Sequence, residues 1–253
     1  MRFIATADTD IGTVKETNQD SLLIKHADTP NGEVLMTVVC DGMGGLAKGE
    51  LASATVIREF SAWFDSELPR MLPNLDLDRV GEIWSNMLRR QNDKIRAYGR
   101  ASGIDLGTTF TGVLFVGQQY VFVHVGDCRF YSLRDGLIQL TEDQTFVARE
   151  IRNGNMTPEQ ARTDKRRNVL LQCVGASPKV EPQVGRGRTA PGVYLLCSDG
   201  FRHVISEAEI AQTLAPINLM NKKAMHGGAR YLIDLVKARR ERDNISVIVI
   251  KAE

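Results

Sequence analysis

Val34-Leu35-Met36-Thr37-Val38-Val39-Cys40 is an almost unbroken apolar run, and it ends abruptly at Asp41-Gly42-Met43-Gly44-Gly45. A run of this length, rich in β-branched residues, reads as a strand buried on both faces. The delivery of a carboxylate at the tip of such a strand recurs along the chain. Residues 193–197 lead to Asp199-Gly200, residues 121–125 lead to Asp127, and Asp243 opens the apolar run 245–250. Aspartate is short, so the backbone that carries it also fixes its carboxylate. A neighbouring glycine removes the Cβ that would block an approaching metal or phosphate.

Working outward, residues 2–8, 20–26 and 33–40 are predicted strands, and residues 48–68 and 76–98 show helical spacing of apolar side chains, separated by Pro69 and Pro73. Residues 110–116, 119–125, 130–133 and 137–140 alternate with turn residues and read as an antiparallel meander. The stretch 146–188 is polar, rich in Arg and Asn, and too long for an ordinary loop, so it is read as a functional insertion. Residues 193–197 form a further buried strand, 206–214 and 220–239 are helical, and 245–250 is the last strand; Gly227-Gly228 interrupts the second of these helices. Strands and helices do not alternate strictly, which predicts a single α+β domain over residues 1–253.

Composition narrows the function. The 253 residues carry 32 Lys and Arg against 31 Asp and Glu, a net +1, which disfavours a protein whose task is gripping a phosphate backbone. Cys40, Cys128, Cys173 and Cys197 lie far apart, with no C-x-x-C pair, and three of them sit in apolar surroundings that read as small buried positions of a reducing compartment. No run approaches the roughly 18 apolar residues of a membrane span, and the segment before Asp8 is too short for a secretory signal. The expected location is cytoplasmic.

Asp-Gly is also a strong hairpin signal, and Asp135-Gly136 within Leu133-Arg134-Asp135-Gly136-Leu137 is read as such a turn. Asp41 and Asp199 differ because buried runs lead into them. A site of carboxylates without clustered His or Cys suits hard ions, Mg²⁺ or Mn²⁺. Several converging carboxylates repel one another unless cations sit among them, which points to two or more ions.

Six motifs, in order, resemble those of the metal-dependent protein phosphatases of type 2C: Gly12-Thr13-Val14-Lys15-Glu16-Thr17-Asn18-Gln19-Asp20, Cys40-Asp41-Gly42-Met43-Gly44-Gly45, Gly107-Thr108-Thr109, His124-Val125-Gly126-Asp127-Cys128-Arg129, Leu196-Cys197-Ser198-Asp199-Gly200 and Asp243-Asn244-Ile245-Ser246. Asp-Gly-Met-Gly-Gly and the text Met156-Thr157-Pro158-Glu159-Gln160-Ala161-Arg162 are similar to the bacterial branch and its flap. The resemblance implies a four-layer αββα sandwich of two antiparallel sheets flanked by helix pairs. It implies that Asp41 bridges two ions, that the Gly42 carbonyl binds one of them, and that Asp199 and Asp243 bind the other. Asp20 would support the cluster, and Asp127 with Asp199 would hold a weaker third ion. A water shared by the two ions would attack phosphorus of phosphoserine or phosphothreonine, so no covalent intermediate is needed and the cysteines have no nucleophilic role. The implied partners are phosphorylated proteins, and a serine/threonine kinase whose work is reversed.

The chain also departs from that pattern. Lys15 stands where the family usually has a phosphate-binding arginine, and it keeps the charge without the bidentate fork. Met43 replaces a histidine common in eukaryotic relatives and has no proton to donate, and Gln19 stands where Glu is frequent. His203 falls where bacterial relatives commonly have an acid and is expected as a surface or flap contact; His124, inside a strand, is expected as a hydrogen-bonded core residue. Arg129, two residues after Asp127, is read equally as functional or as structural. Arg162, Lys165, Arg166 and Arg167 form a basic cluster in the flap, either solvated or attracting a phosphorylated segment. Two alternatives to the enzyme are a phosphoprotein-binding fold without turnover, disfavoured because it has no need for so costly an acid cluster, and another metal-dependent hydrolase such as a nuclease.

Overall fold

The computed structural model describes residues 1–30, 32–44 and 48–253, so Gly45 of the Asp-Gly-Met-Gly-Gly motif lies outside the described residues. Its strands are β1 (Phe3–Asp10), β2 (Ser21–Thr29), β3 (Gly32–Cys40), β4 (Gly42–Gly44), β5 (Leu106–Thr108), β6 (Phe110–Val116), β7 (Gln119–Val125), β8 (Arg129–Leu133), β9 (Leu137–Gln139), β10 (Gln183–Arg188), β11 (Gly192–Cys197) and β12 (Ile245–Ala252). The helices are α1 (Gly49–Ser66), α2 (Leu68–Met71), α3 (Leu77–Ser102), α4 (Phe146–Arg152), α5 (Pro158–Thr163), α6 (Asp199–Arg202), α7 (Glu207–Thr213) and α8 (Lys222–Ala238).

Two five-stranded sheets, β1-β12-β11-β8-β9 and β10-β7-β6-β3-β2, are antiparallel throughout. The run that ends at Asp41 shows why they stack. Val34, Met36, Val38 and Cys40 of β3 face a core shared with α1 and α3, whereas Leu35 and Val39 face the opposite sheet. The period of two thus buries both faces. β12 does the same, with Val247 and Val249 turned towards α8 and Ile248 and Ile250 turned inward. Between the sheets lies a layer of aromatic rings, Phe115, Tyr120, Phe130 and Tyr194, with centroids 5.2–6.2 Å apart. The result is the expected αββα sandwich, with α1 and α3 covering one sheet and α7 and α8 the other.

Three expectations need correction. Residues 146–188 are not one insertion: Gln183–Arg188 pairs with β7 in register from Gln183 opposite His124 to Arg188 opposite Gln119, as an edge strand. Gly185 and Gly187 sit there because a Cβ would meet the Phe122 ring at 2.3 Å and the Tyr120 hydroxyl at 2.4 Å. α8 runs unbroken through Gly227-Gly228, since the apolar face around Leu232, Ile233 and Val236 outweighs the glycine cost, and Gly228 lies close to Leu214. Leu140 falls outside β9, although its N–H still donates to the Phe130 carbonyl at 2.8 Å. Asp135-Gly136 is the β8–β9 turn, as read.

Candidate active site

The aspartates meet at one end of the sandwich, and each is held there by its backbone. Asp41 leaves β3 with its N–H donating to Thr109 Oγ1 at 2.9 Å and its carbonyl accepting from Thr109 N at 2.8 Å and Thr108 Oγ1 at 3.0 Å. The next residue must be glycine. A Cβ at Gly42 would lie 2.3 Å from the Gly49 carbonyl oxygen and 2.5 Å from that of Gln19. Asp199 starts α6 directly after β11, and Gly200 lets that turn press against the 243–244 backbone, where a Cβ would be 2.1 Å from the Asn244 carbonyl oxygen and 3.3 Å from Asp243 Cβ.

The 11–20 loop, which carries Lys15 and Asp20, is clamped by Asn244, whose role the sequence reading missed. Buried Asn244 donates from Nδ2 to the Ile11 carbonyl at 3.0 Å and the Thr17 carbonyl at 3.2 Å, and accepts from Gln19 N at 2.9 Å. Glu241, also unforeseen, accepts from the N–H groups of Arg242 at 2.7 Å and Asp243 at 3.1 Å, and so shapes the turn that presents Asp243. Lys15 Nζ lies 2.8 Å from Asp243 Oδ1. Burial lowers the lysine's proton affinity, but the Asp243 pairing outweighs it and holds Lys15 above its ordinary value, with Asp41 and Asp199 adding to the effect.

The electrostatics mark the site. Burial, with Asp20, Asp199, Asp127 and Asp243 nearby, pushes Asp41 well above the usual carboxylate range. Burial together with Asp199 and Asp243 pushes Asp20 up to about 7 against partial relief from the Ser246 and Ser198 hydroxyls. Of these hydroxyls, Ser246 Oγ pairs with Thr9 Oγ1 at 2.7 Å and Ser198 Oγ accepts from Ser246 N at 3.0 Å. Both carboxylate oxygens of Asp20 and one of Asp199 are buried without a hydrogen-bond partner. Such orphaned, mutually repelling acceptors are what hard cations satisfy, so the residues fit a divalent metal. Among the described residues only His26, Asp28 and Glu33 bring three ligand atoms within 4.8 Å of one another; no three of the site aspartates do so.

Asp127 is held differently. Gly126, at φ +110°, turns the chain after β7, and Arg202 donates to the Asp127 carbonyl at 3.0 Å with the same nitrogen 3.6 Å from Asp127 Oδ2. Arg129, for which two roles were open, is structural: it grips Asp143 with two bonds of 2.8 and 2.7 Å and donates to the Tyr131 hydroxyl at 2.8 Å. His124 is the expected core histidine, bonded to Thr111 at 2.8 Å and to the Glu142 carbonyl at 3.1 Å. His203 is not a flap contact. It lies in the site, 3.4 Å from Asp199 Oδ2 and 3.7 Å from Glu241 Oε2, because the α6 turn brings residue 203 back over residue 199. The four cysteines are buried, and burial first of all pushes each thiol up, away from nucleophilic form.

Residues 13–231 match the family Protein phosphatase 2C. The serine/threonine phosphatase stp of Listeria innocua is 31 % identical over 90 % of this chain and 91 % of its own length. PstP of Mycobacterium tuberculosis is 32 % identical over 98 % of this chain, which spans 44 % of that protein; the crystal structure of the M. tuberculosis phosphatase superposes with a TM-score of 0.82 at 32 % identity, covering 99 % of both chains. A PstP catalytic domain in complex with two manganese ions superposes with a TM-score of 0.78 at 31 % identity, covering 98 % of this chain and 97 % of that one.

Proposed function

Because the chain belongs to the protein phosphatase 2C family, we propose that it hydrolyses phosphoserine and phosphothreonine in proteins using Mn²⁺ or Mg²⁺ held by Asp20, Asp41, the Gly42 carbonyl, Asp199 and Asp243. It is a serine/threonine protein phosphatase of the bacterial type. The alternative of a fold that binds phosphoproteins without turnover finds no support, since the relatives are named as phosphatases. The observation that carries the metal assignment is the group of buried carboxylate oxygens, on Asp20 and Asp199, that no protein donor satisfies.

Divalent ions bound in such a cluster activate a water for attack on phosphorus and neutralise the phosphoryl oxygens. The chain's own residues orient the reaction. Thr108 and Thr109 fix the Asp41 backbone, Glu241 fixes that of Asp243, and Asn244 holds the Lys15 loop over the acids. Lys15 supplies a positive charge to a phosphoryl oxygen at the mouth of the site. Met43 has no proton for the departing oxygen, which therefore draws it from water. The partners are phosphorylated proteins and the serine/threonine kinase that modifies them. The four buried, unpaired thiols favour a cytoplasmic setting. Among the described residues no helix is long and apolar enough to cross a membrane.

The test is phosphate release from a phosphothreonine peptide by metal-stripped protein, with and without Mn²⁺. Turnover that requires Mn²⁺ and disappears in Asp199→Ala is expected. Full turnover without metal, or in Asp199→Ala, would overturn the assignment.

A further inference from the structure

Two parts of the site balance their charge differently. Asp20, Asp41, Asp199 and Asp243 have Lys15 as their close lysine partner, with His203 near Asp199. Asp127 instead belongs to a corner in which two carboxylates, Asp127 and Asp143, meet two guanidiniums, Arg129 and Arg202. Each of these carboxylates already has a guanidinium beside it before any ion arrives. Arg202 is nearly enclosed, its side chain 13 % exposed, and it sits 3.6 Å from Asp127 Oδ2 and 3.5 Å from Asp143 Oδ2. Its Nε is buried without a partner, so this guanidinium has no better anchor to turn to. Arginine keeps its charge at every accessible pH.

Asp127 with Asp199 is the pair at which a third ion was expected. A cation entering there would face the Arg202 guanidinium across the Asp127 carboxylate, 3.6 Å from its Oδ2. Like charges brought that close in a site shielded from water repel strongly. The guanidinium is itself anchored at Asp127 by the 3.0 Å bond to its backbone carbonyl, which keeps the positive charge beside the carboxylate.

We infer that Arg202 is a built-in counter-cation that closes the Asp127 position, so that this phosphatase takes two divalent ions and not a third. Arg202 acts through Asp127 and is a positioning residue; it holds permanently the charge that a loosely bound ion would supply elsewhere. The inference rests on the metal assignment proposed above.

The experiment counts Mn²⁺ bound per chain on metal-stripped protein, by equilibrium dialysis and by paramagnetic resonance of the free ion, up to millimolar Mn²⁺. Wild type is expected to bind two ions and Asp127→Asn also two. Arg202→Gln, which removes the charge while keeping a polar side chain, is expected to bind a third at least ten-fold more tightly than wild type, and Arg202→Gln/Asp127→Asn to lose it again. Arg202→Lys, which keeps the charge, should stay at two. Three ions on wild type, falling to two in Asp127→Asn, would overturn the inference while leaving the two-ion site intact. Two ions on folded Arg202→Gln would overturn it as well. No bound Mn²⁺ on wild type would fell the underlying metal assignment and this inference with it. Should Arg202→Gln fail to fold, the Asp127→Asn comparison decides alone.

Discussion

Lys15 Nζ and Asp243 Oδ1 lie 2.8 Å apart, which ties the proposed phosphate-binding cation to a proposed metal ligand. Both side chains are partly exposed, so the pair contributes little to stability and is free to open. An ion drawing on Asp243 would compete with Lys15 for the same oxygen, leaving the ammonium to face the phosphate. Lys15→Ala should therefore raise KM for a phosphopeptide about ten-fold, the loss expected for one charge-assisted hydrogen bond. Lys15→Arg should lower KM by restoring a two-pronged donor. Steady-state kinetics at saturating Mn²⁺ decides, and an unchanged KM in both variants would return Lys15 to the surface.

The raised acids make the metal-free protein sensitive to pH. Asp20 and Asp127 hold their protons up to about 7 when folded, against 3.8 ordinarily, so between those values the folded state binds more protons than the unfolded one. Stability is then full below the ordinary value and is lost as pH rises through about 7. The melting temperature of metal-stripped protein should fall from about pH 5 to about pH 8, and Mn²⁺ should abolish most of that slope. Asp20→Asn should stabilise the stripped protein at about pH 8 by on the order of 2 kcal/mol while impairing turnover. A flat melting curve without metal would contradict the cluster's electrostatics.

Two Asp-Gly pairs that look alike in sequence should respond oppositely to the same change. A Cβ at Gly200 would sit 2.1 Å from the Asn244 carbonyl oxygen, whereas one at Gly136 would meet nothing within 4 Å. Gly200→Ala should cost about 1–3 kcal/mol and most of the activity, because Asp199 and Asp243 are forced apart. Gly136→Ala should leave rate and stability within about 0.5 kcal/mol of wild type. Chemical denaturation and phosphate release on the two purified variants settle the contrast.

Asn244 makes three hydrogen bonds that close the 11–20 loop onto β12. Asn244→Ala leaves those backbone groups without partners and should cost about 2–3 kcal/mol. It should also weaken Mn²⁺ affinity, because Asp20 moves with the loop. Asn244→Asp should be worse than Asn244→Ala for metal-free stability, since a carboxylate would face the Ile11 and Thr17 carbonyls. Calorimetric unfolding with and without Mn²⁺ tests both.

What could be read beforehand follows from where each signal lives. β6 and β7 were legible to the residue because their apolar runs are bounded by turn glycines, and Asp41, Asp127, Asp199 and Asp243 because buried strands lead into them. β10 was not, since its Gln-Val-Gly-Arg-Gly-Arg text has no second apolar residue; its glycines make sense only once the Phe122 and Tyr120 rings lie across them. β4 and β5, three residues each, were too short to carry a period, and they pair only because Gly42 faces Thr108 in the fold. Glu241 and Arg202 escaped notice because a polar residue between motifs looks solvated, and the role of Asn244, although it stands inside the last motif, comes like theirs from contacts made by distant segments. His203 was misplaced for the same reason: its neighbour Asp199 lies one helical turn away, but Glu241 arrives from another strand connection.

Trp63 and Trp84, the two tryptophans of the chain, stand ring to ring at 5.4 Å in the core shared by α1, α3 and the β2-side sheet. The layer between the sheets and the core beneath α8 contain none. Tryptophan fluorescence, excited apart from the tyrosines, therefore views one wall of the sandwich. An unfolding curve followed by emission alone would pass over a loosening of the wall that carries Asp199 and Asp243, whereas circular dichroism, which weighs both walls, would register it first.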